Sequence, residues 1–520
     1  MKKFILLLAF VFSIGFIEGQ ITFFKTIGNI NANAISNYVE QTADGGYVMI
    51  GTYYGFSPTL LGVGYVIKTN SVGDTTWTQV YGNTGMIINS GKQTNDGGYI
   101  LLGKLRNSGY DDIYVLKIDS FGTIQWQKII GGSNNETGEC IKQTSDGGYI
   151  ITGYGSSFGA GLSDVYVIKL DSTGNLQWEN ILGGTGSETG SSIEETNDGG
   201  FIVIGSASSS TFLIKLDNTG ILQWSKKYSE SIISNNGKSI LQTSDNGYII
   251  LGNRNDTSAT FSAMMTVIKT DSIGNINWSR IYTGSFYNDV ISIKKTASGN
   301  YIIAGSLTIP YPSAQAYRKL LYTLIDNSGN VIWSNSMGVS SPNFDYGTFA
   351  TSTTDGGYIF TGYTSSPSLG GFIYFIKGDS LGTSGCNDSL VTLSAAIFTP
   401  TISTPITLSA AGVILNTPTI IENYGKDSII TYCTTVGINE LPSAPQISVY
   451  PNPSSGQFNF SGLEKQNKIE VFDITGRIIY QSIAKNDFET INISDKAKAI
   501  YFYRITKEIK LVQSGKICIQ

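Results

Sequence analysis

Acidic residues recur at one position of a repeated segment, and their carboxylates are the groups in this chain best suited to chemistry. In four repeats the acid stands twelve or thirteen residues before a turn aromatic. Two carboxylates that flank a bond can hydrolyse a glycoside, and several together can hold a cation. Their Gly, Ser and Thr neighbours instead favour acids that cap turn backbone. The four acids are Glu136, Glu188, Asp289 and Asp345, and the other three repeats have Ala34, Met86 and Asn235 there.

A second group of candidates lies where each repeat passes from its second to its third strand. Aromatic rings stand there beside Asn, Asp and Arg, a combination that offers a carbohydrate or peptide both stacking area and polar contacts. The alternative is that tyrosine, with 30 copies, is simply common on a β-rich surface. With the four acids, the candidate ligand contacts of this group are Tyr53, Tyr54, Arg106, Tyr110, Asp112, Tyr154, Arg254, Tyr311 and Tyr363.

The chain contains no histidine, which restricts the catalytic chemistry. Ser-His-Asp and Cys-His catalysis are excluded, as are the usual zinc and copper sites built on imidazole. Paired carboxylates remain, with Asp111 and Asp112 or the four acids as candidates. The four cysteines lack metal-site spacing, and no phosphate-binding or dinucleotide-binding glycine motif occurs. We therefore expect no metal and no cofactor.

The composition excludes one class of partner and favours one class of fold. The net charge of -5 gives no basic surface for nucleic acid, so we expect no nucleic-acid partner. The chain is 41% hydrophobic and 14% charged and has 61 glycines, as expected of many short strands joined by tight turns.

A repeated turn sequence organises the positions of these candidates. Variants of Gln-Thr-x-Asp-Gly-Gly-Tyr recur about every fifty residues, a period typical of stacked repeats. Asp-Gly predicts a hairpin with a type I′ turn. In the third repeat the pattern predicts four strands, at 138–144, 149–154, 164–170 and 175–182, which would make one propeller blade. The seven turn sequences begin at Gln41, Gln93, Gln143, Glu195, Gln242, Lys295 and Ser352.

Six tryptophans accompany the seven turns, so one repeat lacks its tryptophan. Each Trp precedes the next turn aromatic by 22 to 25 residues, and Phe24 precedes Tyr47 by 23, which assigns Phe24 to the missing position. The last repeat also lacks its fourth strand. We therefore predict an all-β fold in which residues 20–385 form a seven-bladed β-propeller of four-stranded blades, closed by the N-terminal strand.

The chain ends carry separate signals. Two lysines and an apolar run over residues 4–17 predict a signal peptide at 1–19, cleaved near Gly19, and no later segment is apolar enough for a transmembrane helix. Residues 386–440 are rich in Thr, Ser and Pro and predict either a linker or a small β appendage. Within them Cys386 and Cys433 either form a disulfide in an oxidising compartment or stay free.

Residues 441–520 predict a small antiparallel β-sandwich, and their motifs resemble a known family. Pro-Asn-Pro, Asp-x-Thr-Gly-Arg, Ile-Tyr and Gly-Lys occur in the order of the type A C-terminal sorting domain of the type IX secretion system, with Ala499 where many members have Gly. The resemblance implies export through that machinery and a source in the Bacteroidota. The repeats likewise resemble those of secreted bacterial propellers. The motif residues are Pro451, Asn452, Pro453, Gly456, Asp473, Gly476, Arg477, Tyr501, Gly515 and Lys516.

Together these features predict a secreted or outer-membrane surface protein that passes through the periplasm. Its expected function is non-catalytic binding or adhesion to a glycan or an extracellular protein through the loops at one rim. Two alternatives stay open, an extracellular carbohydrate-active enzyme with paired carboxylates and a structural component of the cell surface. The sequence does not identify the ligand.

Overall fold

The structure is a computed structural model. All secondary-structure elements of the described residues are β-strands. It separates into two units, residues 1–437 and 438–520, which are described in turn. The described residues are 20–28, 33–54, 62–82, 85–107, 109–207, 210–229, 233–256, 263–284, 287–309, 317–338, 344–366, 370–385, 388–403, 407–409, 414–416, 428–436, 447–473, 477–507 and 510–519. The predicted signal peptide, Tyr311, Cys386 and Gly476 lie outside them, as does the side chain of Cys433.

Each repeat forms an antiparallel four-stranded sheet, called here modules 1 to 7. Modules 1 and 2 contain β2 (Asn33–Gln41), β3 (Tyr47–Tyr54), β4 (Gly62–Thr69), β5 (Thr75–Tyr81), and β6 (Met86–Gln93), β7 (Tyr99–Asn107), β8 (Tyr110–Ile118), β9 (Ile124–Gly131). Modules 3 and 4 contain β10 (Glu136–Gln143), β11 (Tyr149–Gly155), β12 (Asp164–Leu170), β13 (Leu176–Gly183), and β14 (Glu188–Glu195), β15 (Phe201–Ala207), β16 (Ser210–Leu216), β17 (Leu222–Ser229).

Modules 5 to 7 follow the same order, except that the fourth strand of module 7 comes from the N-terminus. Module 5 contains β18 (Ile233–Gln242), β19 (Tyr248–Asp256), β20 (Ala263–Thr270) and β21 (Ile276–Thr283). Module 6 contains β22 (Tyr287–Lys295), β23 (Tyr301–Ile309), β24 (Tyr317–Ile325) and β25 (Val331–Met337). Module 7 contains β26 (Phe344–Ser352), β27 (Tyr358–Ser366), β28 (Gly370–Gly378) and β1 (Ile21–Gly28), which pairs antiparallel with β28.

The repeated turn has a different geometry from the type I′ turn that Asp-Gly predicts. Gly45 donates its N–H to the Thr42 carbonyl, and Thr42 in turn donates to the Gly46 carbonyl. Within this turn Gly45 alone has a positive φ, +80°, so the loop is a type I turn closed by a glycine bulge. The Asp44 carboxylate accepts from the Gly46 N–H at 3.0 Å and from the Thr42 hydroxyl at 2.5 Å, which fixes the shape of the loop.

The apolar core is divided among the junctions between neighbouring modules. Each Trp packs on the turn aromatic of the next module, as Trp126 does on Tyr149, with ring centroids 5.6 Å apart. The Trp126 ring also lies against Gly174, where a side chain would collide with it. One Trp therefore joins two modules and accounts for both the aromatic and the glycine that recur with it.

The strand register corrects the assignment of Phe24 to the missing Trp position. In module 3 Trp178 pairs with Lys169, and in module 7 the equivalent Lys377 pairs with Phe23. Phe23 packs on Tyr47 with ring centroids 6.1 Å apart, whereas Phe24 faces the opposite side of the sheet. Because a shift of one residue reverses the face of a strand, counting residues across a loop of variable length selected the wrong phenylalanine.

Hydrogen bonds join successive modules in a regular pattern. The Gln that opens a repeated turn accepts from a turn N–H of the preceding module, as Gln93 does from Ala43 and Gln143 from Asn95. Gln41 of module 1 accepts in the same way from Thr354 of module 7, at 2.8 Å. The first strands of consecutive modules contact one another, and β26 also contacts β2. The repeated Gln thus serves contacts between modules.

The segment that follows module 7 adds outer strands to the sheets of the modules. Short strands pair antiparallel with the fourth strands of modules 6, 5, 4, 3 and 2 in that order, and a longer strand pairs with β1. Each covers an edge that would otherwise be open to another chain. They are β29 (Asp388–Leu390), β30 (Ser394–Ala396), β31 (Thr401–Ser403), β32 (Thr407–Ser409), β33 (Ile414–Asn416) and β34 (Ser428–Val436).

The C-terminal unit contains two antiparallel sheets that share one core. Phe458 and Phe460 of the first sheet are buried with Val471, Tyr503 and Ile505 of the second. The first sheet has β35 (Ser448–Tyr450), β36 (Gln457–Ser461) and β39 (Phe488–Asn492). The second has β37 (Lys468–Phe472), β38 (Ile478–Ile483), β40 (Ile500–Lys507) and β41 (Lys510–Cys518).

Candidate functional site

The junction between modules 7 and 1 contains a cleft of about 280 Å³. Two of the candidate ligand contacts, Tyr54 at the end of β3 and Tyr363 on β27, line it together. Asn33, Ala34, Ile35, Thr364 and Gly371 complete the lining, and most of the exposed lining surface is apolar. The antiparallel order of the strands places this cleft at the end of the modules opposite the repeated turns.

An aromatic stack extends from the cleft. Tyr363 lies opposite Tyr346 on the neighbouring strand, with ring centroids 4.8 Å apart and planes inclined by 15°. The guanidinium of Arg318, from module 6, lies 5.0 Å above the Tyr346 ring. We call Arg318, Tyr346, Tyr363 and Tyr54 the aromatic ladder. Sequence analysis missed Arg318, near the start of β24, and Tyr346, near the start of β26.

The ladder has the properties of a recognition surface. Its four side chains are each partly exposed, so their ring faces and polar ends remain accessible. Burial, together with the neighbouring Tyr346, raises the pKa of Tyr363 to about 12, so its hydroxyl stays protonated and can donate a hydrogen bond. Burial also raises the pKa of Tyr54. Flat rings with hydroxyl and guanidinium donors suit a sugar or a peptide.

Two of the four predicted acids lie near this ladder and already have partners. Asp289 accepts a hydrogen bond from the Asn253 side-chain amide of module 5. Asp345 accepts one from the Tyr374 hydroxyl at 3.0 Å and is 1% exposed. Both carboxylates therefore hold strands together.

The other two acids bind turn backbone, as the capping interpretation predicts. Glu136 accepts from the Gly132 N–H at 2.8 Å and from the Ser157 N–H at 3.0 Å. Glu188 accepts from the Gly184 N–H at 3.1 Å. Burial raises the pKa of Glu136 although these hydrogen bonds oppose it. Glu136 is fully buried, and Glu188 nearly so.

Each of these glutamates also meets an aspartate from the preceding module. A side chain on Gly131 would strike both Asp112 and Glu136, and one on Gly183 would strike both Asp164 and Glu188. The Asp164 Oδ1 atom is buried without a hydrogen-bond partner, and burial raises the pKa of this carboxyl group. Asp112 was a candidate, whereas Asp164 was missed because it reads as the first residue of a strand.

The remaining candidates lie apart from the ladder. Tyr110 is 46% exposed in the hairpin between β7 and β8, where Arg106 lies 3.5 Å from Asp111. Tyr53 packs on Tyr65 with ring centroids 5.5 Å apart. Tyr154 and Arg254 are partly exposed near the ends of their strands, and Tyr311 lies outside the described residues.

The aspartates of the repeated turns each bind a lysine. In module 3 Lys169 on the third strand lies 2.9 Å from Asp146, and the same pair occurs in five other modules. Module 6 lacks both partners, with Ser298 and Leu324 in their places. Within the described ranges, no three His, Cys, Asp or Glu side chains cluster as metal ligands.

The sorting motifs of the C-terminal unit make defined contacts. The Asn452 side chain donates to the Lys516 carbonyl at 2.8 Å and accepts from the Cys518 N–H at 2.9 Å, which ties the Pro451-Asn452-Pro453 segment to the last strand. The Arg477 side chain donates to the Asp473 carboxylate at 3.1 Å. Tyr501 is buried and donates to the Ala497 carbonyl.

Two glycines of the motifs occupy crowded positions. A side chain on Gly456, which has a φ of +107°, would collide with Ser494, and one on Gly515 would collide with the Tyr503 ring. These contacts show that the motif residues maintain the fold of this unit, and Lys516 is exposed.

The comparisons identify the C-terminal unit. Residues 448–520 match the family described as the secretion system C-terminal sorting domain. This domain marks proteins that the type IX secretion system delivers to the cell surface or the extracellular space, so it implies that the chain interacts with that machinery. In the part of the chain that the structure describes, no helix is long and apolar enough to cross a membrane.

Among solved structures, several resemble the chain at low identity. A protein of unknown function from Dyadobacter fermentans is 10% identical with a TM-score of 0.40, covering 70% of this chain and 98% of its own. Sqt1 from Chaetomium thermophilum is 9% identical with a TM-score of 0.35, covering 67% and 99%.

PorZ from Porphyromonas gingivalis, a surface component of the type IX secretion system, is 10% identical with a TM-score of 0.22, covering 95% of this chain and 99% of its own. Because these TM-scores are below 0.5, no conclusion rests on any of the three. No curated protein matches the sequence.

Proposed function

We propose that modules 1 to 7 form a closed seven-bladed propeller. Three contacts between the last and first modules support closure. Gln41 accepts from Thr354, Thr348 donates to the Ser36 carbonyl, and the buried Lys25 of β1 lies 2.9 Å from Asp74 of module 1. The first two have counterparts between sequential modules, where Gln93 accepts from Ala43 and Asn37 donates to the Ile88 carbonyl, as expected when no edge is left open.

We propose that the protein is a non-catalytic binding or adhesion module at the cell surface, with the aromatic ladder as its contact for a glycan or an extracellular protein. The observation that carries this proposal is the stack of Arg318, Tyr346 and Tyr363 beside a cleft that Tyr54 completes. Such a stack supplies ring area for a sugar face and leaves hydroxyl groups at its margin for direction. A purely structural role at the surface would need neither the cleft nor the exposed rings.

The second candidate is a carbohydrate-active enzyme, which the meeting of Asp112 and Glu136 at Gly131 favours. Glycoside hydrolysis needs an open space between the two carboxyl groups for the scissile bond. Glu136 is fully buried and caps backbone on both of its oxygens, which supports binding over hydrolysis.

A binding screen of the mature chain against glycans and extracellular proteins tests the ladder. We expect a ligand whose affinity falls at least about fivefold on Tyr363→Ala or Tyr346→Ala, since a ring in a contact surface is worth about 1 kcal/mol or more. The matched control is Tyr110→Ala, which removes an exposed tyrosine from module 2. Equal loss in all three variants, or no ligand in the screen, would contradict the proposal. Release of reducing sugar that Asp112→Asn abolishes would establish the enzyme instead.

The sorting domain predicts a second measurable property. Deletion of residues 441–520 should leave the protein in the periplasm, because the motifs that the secretion machinery reads are then missing. Cell fractionation and surface labelling measure this. We further propose, from the same resemblance, that residues 1–19 are removed as a signal peptide and that the source belongs to the Bacteroidota. Surface export of the truncated chain would refute the role of the domain.

A further inference from the structure

The first strands of the modules bring together a group of charged side chains that lie outside the aromatic ladder. Lys142 on β10 lies 2.6 Å from Glu194 on β14, and Lys294 on β22 reaches the same pair. We call these three residues the inner cluster. Modules 3, 4 and 6 supply them, so the cluster lies where strands from non-adjacent modules face one another.

The inner cluster is enclosed by protein and still accessible. The side chains of Lys142 and Glu194 are 17% and 21% exposed, and Lys294 is partly exposed. The Lys294 ammonium lies 5.1 Å from the centre of the Phe349 ring, whose negative face attracts a cation. A small solute can therefore reach ammonium groups that bulk water does not fully surround.

The cluster carries more positive than negative charge. Glu194 is paired with Lys142, and among the described residues no carboxylate lies within 4.0 Å of the Lys294 ammonium. The nearby Glu40 already accepts from the Tyr38 hydroxyl at 3.0 Å and from the Gln93 N–H, and the nearby Lys92 adds a further positive charge. Enclosing a cation without a counter-charge is costly, and an anion would offset that cost.

The ionisation of Lys294 reflects the same imbalance. Burial and the neighbouring Lys142 lower its pKa to about 7, against the opposing effect of Glu194. Without another anion, the cluster therefore holds two lysines that compete for one glutamate. A bound anion would favour the protonated form of Lys294.

We propose that the inner cluster binds one small anion, a halide or a group of carboxylate size, between the ammonium groups of Lys142 and Lys294. The anion would complete the alternation of charge across strands β10, β14 and β22. Because these strands belong to modules on different sides of the repeat array, it would also hold the modules together from inside.

Bromide provides a direct probe, because its anomalous scattering locates it in crystals of the full mature chain. We expect a bromide peak between Lys142 and Lys294 that Lys294→Met removes and Lys294→Arg retains. The matched control is Lys295→Met, which removes the exposed neighbouring lysine of the same strand and should keep the peak. No peak at the cluster, or peaks only at surface lysines, would overturn the proposal.

A solution measurement keeps the test independent of crystals. At constant ionic strength, with gluconate as the balancing ion, chloride raised from about 5 mM to about 500 mM should raise the unfolding midpoint, because a ligand of the folded state stabilises it. Lys294→Met should abolish this rise, and Lys295→Met should not. An equal rise in the wild type and in Lys294→Met would contradict specific binding. If Lys294→Met does not fold, the wild-type bromide map decides alone.

Discussion

The two ends of the modules differ in how they use carboxylates. At the end with the repeated turns, Asp146 and its equivalents accept from turn N–H groups and a lysine, and hydrogen bonds from Thr144, Lys169 and Gly148 outweigh burial to lower the pKa of Asp146 to about 2. At the opposite end, burial raises the pKa of Glu136 and of Asp164. The end with the repeated turns thus stabilises the ionised form of its aspartates, whereas burial at the opposite end favours the protonated form of Glu136 and Asp164. Repetition therefore indicates architecture, and the variable end is where recognition is expected.

The largest loss of stability should come from removing β1, the N-terminal strand of module 7, which runs between the two ends of that module. Deletion of residues 20–28 takes Phe23, Phe24 and Ile27 out of two core clusters, leaves β34 without its partner strand and opens one edge of β28, which stays paired with β27. Since one buried phenylalanine contributes about 3 kcal/mol, we expect a loss above about 5 kcal/mol, or failure to fold, measured by denaturant unfolding. Deletion of residues 441–520 is the control and should leave the first unit's midpoint unchanged. An unchanged midpoint in the first variant would show that the modules do not need β1.

A repeated Trp should contribute more than any exposed aromatic residue at the same end. Trp178 packs on Phe201 and on Gly220 of the next module, so Trp178→Ala should cost about 3 kcal/mol of the free energy of unfolding. Phe121→Ala is the matched control, because this ring lies in the turn between β8 and β9 and is 82% exposed. Its cost should stay below about 0.5 kcal/mol. Similar costs for both would mean that the junctions do not carry the core.

The Asp–Lys pair of the turns can be tested by replacing both charges, which module 6 also lacks. Asp146→Asn leaves Lys169, which is 5% exposed, without its carboxylate, and should cost about 1 to 3 kcal/mol. Adding Lys169→Leu reproduces the Leu324 of module 6 and should recover at least half of that loss. A double-mutant cycle measures the coupling. No recovery in the double variant would indicate that the lysine serves another partner.

The two ends should respond oppositely to acid. The folded-state pKa values of Asp44, Asp146, Asp198 and Asp245 are about 2, below the ordinary value near 4, so their stabilisation is present above pH ~4 and is lost as the pH falls towards 2. The raised pKa values of Glu136 and Asp164 act the other way, because the folded state binds their protons more readily.

Unfolding midpoints between pH 5 and pH 2 measure this small difference. The variant with Asp146→Asn and Lys169→Leu should lose less stability over that interval than the wild type, because one of its acid-sensitive pairs is gone. Glu136→Gln should lose more, since it lacks a group that gains a proton on folding. Parallel curves for all three proteins would remove the distinction between the ends.

Periodicity made the strands and the order of the repeats predictable. Local geometry, such as the face on which a side chain lies, was not predictable in the same way. The turns and the N-terminal strand follow from residue types and spacing. The choice between Phe23 and Phe24 depends on the face of one strand, which a count across a loop does not resolve. The outer strands β29 to β33 are three residues long and carry no usable periodicity, so only the edges they cover reveal them.

The candidate site was predictable in part for the same reason. Tyr54 and Tyr363 were identified because they occupy variable segments, but 309 residues of sequence separate them and only the junction of the last and first modules unites them. Arg318 and Tyr346, near the starts of β24 and β26, are of residue types that are ordinary in a β-sheet, so the sequence did not single them out. The inner cluster is harder still. Its three members each stand one residue before a repeated turn sequence, but the charge at that position differs between repeats, and the three meet only across the array.

The two strand pairings of β1 set an order of events for the growing chain. This strand, near the start, pairs with β28 and with β34, so neither side of it is complete until residues 370–378 and then 428–436 have been made. Contacts between such distant segments form slowly, because a long intervening chain must first be ordered. Until then β1 offers two open edges to chaperones or to other chains. Synthesis past Val436 is thus the moment at which the first strand becomes protected on both sides.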